Sequence, residues 1–197
     1  SDMNADSTKI DTIVNGIKPL EKREKKLNDI FTISTVGRLT PVKSHKKLIE
    51  ALIELKKEDV KFKCIIAGNG ELEEELKKLV DTNDMKNEIK FYGFVKDVRD
   101  VLDESNCLII HSDMEGLPIT LLEAMSYNVP IITHQVGGIN GVINEKNGII
   151  MKKNNPDEIK DKIKFCMQNE KEANLRAKKA EIDFMNKYDI SKFIKSY

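Results

Sequence analysis

Residues 106–127 read NCLIIHSDMEGLPITLLEAMSY. An apolar run comes first, then a polar loop with a Gly-Leu-Pro step, then a stretch whose leucines and methionine recur at helical spacing. That order is strand, loop, helix. Glu115 and Glu123 stand eight positions apart in it, with Gly116 and Pro118 interrupting the chain between them. Glu115 therefore falls on the loop and Glu123 inside the helix, while Leu121, Leu122 and Met125 are expected in the core.

Outward from this stretch the same alternation repeats. FTISTVG, FKCIIAG, IKFYGFV, VPIITH and NGIIM read as strands, and HKKLIEALIELKKE, ELEEELKKLVDT and VRDVLDES as helices. Short apolar runs alternating with amphipathic ones predict βαβ units, hence an α/β fold: a Rossmann-like parallel sheet with helices on both faces. The tail from Pro156 is helical with few breakers. Residues 1–28 read as a leader and interdomain linker, and within them the charge run LEKREKKLN (20–28) has no apolar face, as in a solvated linker or a short helix. Residues 29–197 make up the domain proper with its C-terminal helices.

Composition bounds the partners. With 33 Lys+Arg against 33 Asp+Glu the formal net charge is +0, which argues against nucleic acid. No apolar run reaches the ~18 residues a bilayer span requires, and the first residues lack the order of a secretion signal, so a cytoplasmic location is expected. Cys64, Cys107 and Cys166 lie far apart outside any metal-ligand spacing and are expected as buried thiols. His45, His111 and His134 show no ligand spacing either and are expected as hydrogen-bonded structural side chains. Asp113-Met114-Glu115 has the look of an acidic metal motif, but no metal is expected, because the order of the strands and the cations Arg38 and Lys43 argue against one.

In such a sheet ligands bind beyond the carboxyl ends of the strands, where the strand order reverses. The turns that follow strands are Gly37-Arg38, Gly68-Asn69-Gly70, Gly93-Phe94, Ser112 to Gly116 and Gly137-Gly138, all glycine or small polar in character. They let a ligand approach the backbone. Pro118 suits the first helical position, and Leu117 before it has no oxygen to cap the helix, so the amides of Ile119 and Thr120 are left for a ligand such as phosphate. Glu123 lies about 7.5 Å further along the axis at ~1.5 Å per residue, within reach of a ribose diol. Arg38 can fork two phosphate oxygens and Lys43 supplies a point charge, beside a helix that Ser44 is expected to cap. Lys46 and Lys47 are expected to be merely solvated.

Together GRL, VKS, LIEAL, IIAGNGE, FYGFV, HSDMEGLPITLLEAM, VPII, VGGINGVI and NGIIM resemble, in order and spacing, the carboxyl-terminal half of the group 1 glycosyltransferases, a retaining family of GT-B architecture. The resemblance covers about residues 12–197, from an IVNGIKP entry segment to a YDISKFIKSY tail like a closing helix. It implies that Arg38 and Lys43 hold the donor diphosphate, that Glu123 is the second acid of the E-x7-E motif and holds the ribose, and that Glu115 is the first acid, near the transferred sugar. It further implies that Gly116, Leu117 and Pro118 bring backbone to sugar and phosphate, and that Phe94 and Val95 lie beside the base. With Gly70, Ile119 and Thr120 these complete the expected donor site, and Arg38, Lys43 and Glu115 its catalytic part. Two departures stand out: Lys43-Ser44 where the family has Lys-Gly, and Gly141 where its GGxxE motif has the acid.

The resemblance implies sugar transfer from a UDP- or GDP-sugar to an acceptor sugar or lipid-linked sugar, in bacterial surface polysaccharide or glycolipid synthesis, with no cofactor. The acceptor would come through an amino-terminal domain that 197 residues do not hold, the full-length enzyme being peripheral to the inner face of the plasma membrane. A sugar-nucleotide epimerase of related architecture and a non-catalytic nucleotide-binding module remain as alternatives. Front-face attack and a covalent intermediate both remain open as routes to retention.

Overall fold

The computed structural model describes residues 16–26 and 29–191. In β4 (Cys107–Ile110) successive side chains face opposite sides of the sheet, and both sides are buried, which is why CLII carries no polar residue. Cys107 and Ile109 enter one core layer, Leu108 and Ile110 the other. The same two-sided burial shapes β1 (Thr32–Val36), β2 (Lys63–Ala67) and β5 (Ile131–His134), while at the edges of the sheet β3 (Ile89–Gly93) leaves Lys90 and Tyr92 exposed and β6 (Ile149–Met151) leaves Ile150 half-buried. All six strands pair in parallel, as the sequence led us to expect, and their order is β3-β2-β1-β4-β5-β6.

One face is covered by α1 (His45–Lys57), α2 (Glu73–Thr82) and α5 (Pro156–Gln168), the other by α3 (Arg99–Leu102), α4 (Ile119–Ser126) and α6 (Glu170–Lys187). The start of α5 is set by Asn155, whose side chain accepts the Glu158 amide at 2.9 Å, and by Pro156 at its first position. Asn169 divides the helical tail into α5 and α6. Leu121, Leu122 and Met125 are fully buried, as expected. The three cysteines are buried free thiols, with Cys64 and Cys107 flanking Ile33 in strand register. Among the described residues no helix is long and apolar enough to cross a membrane.

The charge run from Leu20 departs from expectation. Its described part, residues 20–26, is neither helix nor free linker but a strap laid on the domain. Arg23 pairs with Asp97 at 2.5 Å and Asp100 at 2.9 Å, the Arg23 amide donates to the Tyr127 hydroxyl at 3.0 Å, and the Lys26 amide donates to the Asp103 carbonyl at 2.8 Å. Just before it, Ile17 exchanges backbone hydrogen bonds with Tyr188 and Ile190, so the entering segment meets the chain beyond α6. Residues 13–15 of the expected entry segment and 192–197 of the expected closing helix lie outside the described residues.

The strand order reverses between β1 and β4. Two loops therefore meet at their carboxyl ends, residues 37–44 after β1 and 111–118 after β4.

Candidate functional site

The β1 loop is held from below by glycines. At Gly68 (φ +135°) an added Cβ would overlap the Gly37 carbonyl, and at Gly70 it would lie 2.5 Å from the Leu39 carbonyl oxygen. Backbone bonds from Leu39 to Asn69 (2.9 Å) and from Leu72 to Leu39 (3.0 Å) complete this contact. Gly70 thus serves the loop that presents Arg38. Arg38 itself is exposed, and its guanidinium makes no ion pair or hydrogen bond among the described residues. With Val36, Gly37, Ala67, Gly68, Asn69, Phe94 and Val95 it lines a cleft of ≈ 180 Å³. Phe94 is 71% exposed there, an unusual position for an aromatic ring and a ready platform for a base.

After Arg38 the chain makes a short 3-10 turn, Pro41–Lys43, and Ser44 then adopts a left-handed conformation (φ 56°). The expected cap on α1 does not form. Ser44 Oγ instead donates to Asp113 Oδ2 at 2.5 Å across the switch point. Lys47, expected to be solvated, reaches Asp113 Oδ1 at 2.6 Å, and Asn154 Nδ2 donates to the same oxygen at 2.9 Å. Desolvation would raise the Asp113 carboxyl, but the bonds from Lys47, Ser44 and Asn154 outweigh it and hold it at about 2. Asp113 is thus a tie between loops, and its oxygens are committed. Among the described residues no group of three His, Cys, Asp or Glu side chains is placed to hold a metal.

Lys43 Nζ lies 2.5 Å from Glu115 Oε1, and Ser112 Oγ donates to that same oxygen at 2.5 Å. The Glu115 side chain is only 9% exposed, so the pair is sheltered. Oε2 makes no hydrogen bond among the described residues. Lys43 and Glu115 line a small cavity together with Gly37, Ser112 and Thr120 from the start of α4.

Pro118 is the last residue before α4 (ψ 131°) and Ile119 the first within it, one position later than the sequence suggested. No side chain caps this helix, and among the described residues the amides of Ile119 and Thr120 meet no acceptor, the first turn closing only with Leu121 N–H to Pro118 O at 3.1 Å. One turn on, Glu123 is half-buried, and its carboxylate makes no hydrogen bond or ion pair among the described residues, only its backbone carbonyl accepting, from Ser126 Oγ and the Tyr127 amide. Burial first, then the negative charge of Asp97, holds its carboxyl above the usual range. Asp97 belongs to the loop that starts at Phe94, so the base-side loop and Glu123 are neighbours.

Sequence reasoning missed the part played by Gly137-Gly138. Gly137 has φ +54°, and a Cβ on it would fall on the Glu115 carbonyl oxygen. A Cβ on Gly138 would come within 2.6 Å of the Gly116 carbonyl oxygen. The pair is a floor for the Glu115–Leu117 backbone, and the Gly-Gly doublet itself was the available signal. Gly141, in place of the family's acid, has open space around it.

The histidines differ from expectation as well. His45 and His111 are buried, yet neither ring nitrogen of either meets a partner at hydrogen-bond geometry, and His134 Nδ1 is likewise unpartnered. Burial, then the charge of Lys43, pushes His45 down to about 4. Burial, then neighbouring His45, pushes His111 down to about 3, against a weak upward pull from the backbone of Lys43 and of His111 itself. Both are neutral at physiological pH.

A Rossmann-like parallel sheet with helices on both faces, its strand order reversing between β1 and β4, is the class this geometry defines. The family model for glycosyl transferases group 1 matches residues 16–183, and the chain belongs to that family. It is 34% identical over 149 residues to the amylovoran biosynthesis glycosyltransferase AmsK of Erwinia amylovora, covering 70% of this chain and 36% of the relative. It is 27% identical over 208 residues to the UDP-Gal:alpha-D-GlcNAc-diphosphoundecaprenol alpha-1,3-galactosyltransferase of Escherichia coli, covering 97% of this chain and 53% of that one. The chain thus spans about half or less of the length of these relatives. Among solved structures it is similar to S. aureus TarM in complex with Fondaparinux, alpha-GlcNAc-glycerol and UDP (TM-score 0.81, 22% identity, 93% of this chain and 38% of that one). Anabaena HepE in complex with UDP-glucose gives a TM-score of 0.75 at 21% identity, over 86% of this chain and 50% of that one. The fold is that of the carboxyl-terminal half of GT-B enzymes.

Proposed function

We propose that this chain is the donor-binding domain of a retaining glycosyltransferase that moves a sugar from a UDP- or GDP-sugar to an acceptor hydroxyl, in bacterial surface polysaccharide or glycolipid synthesis. The observation that carries the reading is the convergence, at one strand switch, of Arg38, the Lys43–Glu115 pair and the uncapped start of α4. Arg38 is free to fork diphosphate oxygens. Lys43 spends one of its three N–H groups on Glu115 and keeps two for phosphate. The amides of Ile119 and Thr120 add the positive end of a helix dipole. These groups would stabilise the leaving diphosphate as charge grows on it, without a metal.

The other contacts follow along the donor. Glu123, half-buried and unpartnered, would accept the ribose hydroxyls. The cleft at Phe94 and Val95 would take the base. Glu115 Oε2 would accept a hydroxyl of the transferred sugar, across the Gly116-Leu117-Pro118 backbone. The acceptor, a sugar or lipid-linked sugar, would be presented by a second domain facing this edge, with the full-length enzyme working in the cytoplasm at the inner face of the plasma membrane. TarM and HepE, similar in fold, were solved with UDP and UDP-glucose, which makes uridine nucleotides the first to assay.

Calorimetry with UDP, GDP and ADP tests the reading. One of the three should bind, and Arg38→Ala should weaken it; a chain that binds none of them, with a normal melting transition, is not a donor domain.

A further inference from the structure

Behind the Lys43–Glu115 pair, His45 and His111 pack edge to face, ring centroids 5.1 Å apart and planes at 86°. His45 opens α1 at the end of the β1 loop, and His111 directly follows β4, so their contact spans the two loops that the switch point brings together. Each is 2% exposed. None of their four ring nitrogens meets a partner at hydrogen-bond geometry among the described residues, the backbone of Lys43 and of His111 acting on the His111 ring without completing a bond, although buried polar groups as a rule are bonded to protein or water. An apolar pair of the same shape would carry no such penalty. The two rings line, with Thr35, Ser112, Glu115 and Thr120, a cavity of ≈ 10 Å³, the lower limit for one water.

We infer that His45 and His111 are positioning residues: through a water held in this cavity they tie the Lys43 loop to the Glu115 loop and set the spacing at which the two grip the donor diphosphate. A neutral imidazole donates through one nitrogen and accepts through the other, so a water between them can also reach Thr35, Thr120 or the Glu115 carboxylate. Being neutral, the rings add no charge beside Lys43. The inference rests on the donor-site reading for its ligand but not for its geometry.

The experiment replaces each histidine singly by Leu, which fills the space without polar atoms, and by Gln, which keeps a donor and an acceptor. Melting temperature, UDP and GDP affinity, and the backbone amide shifts of Glu115 to Leu117 in the ligand-free chain are read for each. The Leu variants should melt at or above the unmodified chain yet bind nucleotide about 5- to 20-fold more weakly, the worth of one or two hydrogen bonds. The Gln variants should recover most of that loss, and His45→Leu should displace the Glu115–Leu117 amides across the switch point while His45→Gln restores them. A purely space-filling pair predicts unchanged affinity and no advantage of Gln over Leu, and that result overturns the inference. If the Leu variants do not fold, imidazole nitrogen shifts and water cross-peaks of the unmodified chain decide: a long-lived water at the ring N–H supports the tie, and a dry cavity removes it. If the unmodified chain binds neither nucleotide, the donor-site reading is what fails, and the amide shifts still judge the tie.

Discussion

Lys43 Nζ and Glu115 Oε1 are 2.5 Å apart across the β1/β4 switch, and the pair is largely sheltered from solvent, with side-chain exposures of 22% and 9%. The cation for phosphate and the acid for sugar are therefore one electrostatic unit. Glu115→Ala should leave bare UDP or GDP affinity within about threefold, because the freed Lys43 still faces the phosphates, while erasing the extra affinity of the nucleotide sugar. It should also cost about 1–2 kcal/mol of stability by leaving Lys43 and Ser112 without their acceptor, so its melting temperature falls. Calorimetry and thermal melts check both, and an unchanged preference for the nucleotide sugar would remove Glu115 from the sugar site.

Glu123→Gln should behave in the opposite way. Loss of a charged hydrogen bond to the ribose, worth ~1.5–3 kcal/mol, lowers bare-nucleotide affinity roughly 10- to 100-fold. Stability should hold or rise, because burial and Asp97 already disfavour its charged form. A Glu123→Gln variant that binds as the unmodified chain does would leave the ribose without its acid.

The glycines separate packing from ligand contact. Gly137→Ala puts a Cβ at φ +54° onto the Glu115 carbonyl and should cost about 2–5 kcal/mol, whereas Gly141→Ala, in open space at φ +91°, should cost about 1–2 kcal/mol of backbone strain alone. Gly116→Ala meets nothing within 4 Å and should fold normally, yet lower nucleotide-sugar affinity where the donor lies against that backbone. Melting curves paired with calorimetry distinguish the three.

Nucleotide binding should survive EDTA, since the proposed cations are Arg38, Lys43 and helix amides. Arg38→Ala should weaken it more at low salt than at high salt, as for an exposed contact to phosphate. Restoration by magnesium or manganese after chelation would return Asp113-Met114-Glu115 to consideration.

Acid should destabilise the chain in two windows. His45 and His111 are held near 4 and 3 when folded, against about 6.5 when unfolded, so below pH ~6.5 the unfolded state binds more protons and stability falls as pH drops toward 4. The charge acting on both rings is Lys43, and Glu115 lines the same cavity. Asp97 and Asp113 are held at about 2, so the stability they contribute is present above the ordinary carboxylate range and is lost as pH falls through that range toward 2. Melting temperatures from pH 7.5 to 4.5 should therefore drop steeply in the unmodified chain and more gently in His111→Leu.

Much of this was written locally in the chain. The periodicities of FTISTVG, FKCIIAG and HKKLIEALIELKKE specified strands and helices, because each element's hydrogen bonds and apolar stripe are short-range properties. The placement of Arg38, Lys43 and Glu115 in the loops after strands, and of Glu123 in the helix that follows, came from the same alternation. What sequence could not express is contact between distant segments. Lys43 meets Glu115 over a separation of 72 residues, and Ser44 turns from its own helix to Asp113 over 69. The 20–26 run reads as solvated because its partners, Asp97, Asp100 and Asp103, lie elsewhere in the chain. Only the sheet's order, with β1 on one side of β4 and β5 on the other, decides that two loops share an edge, that Gly137 must lack a Cβ, and that His45 and His111 are buried against each other: these are consequences of through-space proximity, which no local pattern of residues encodes.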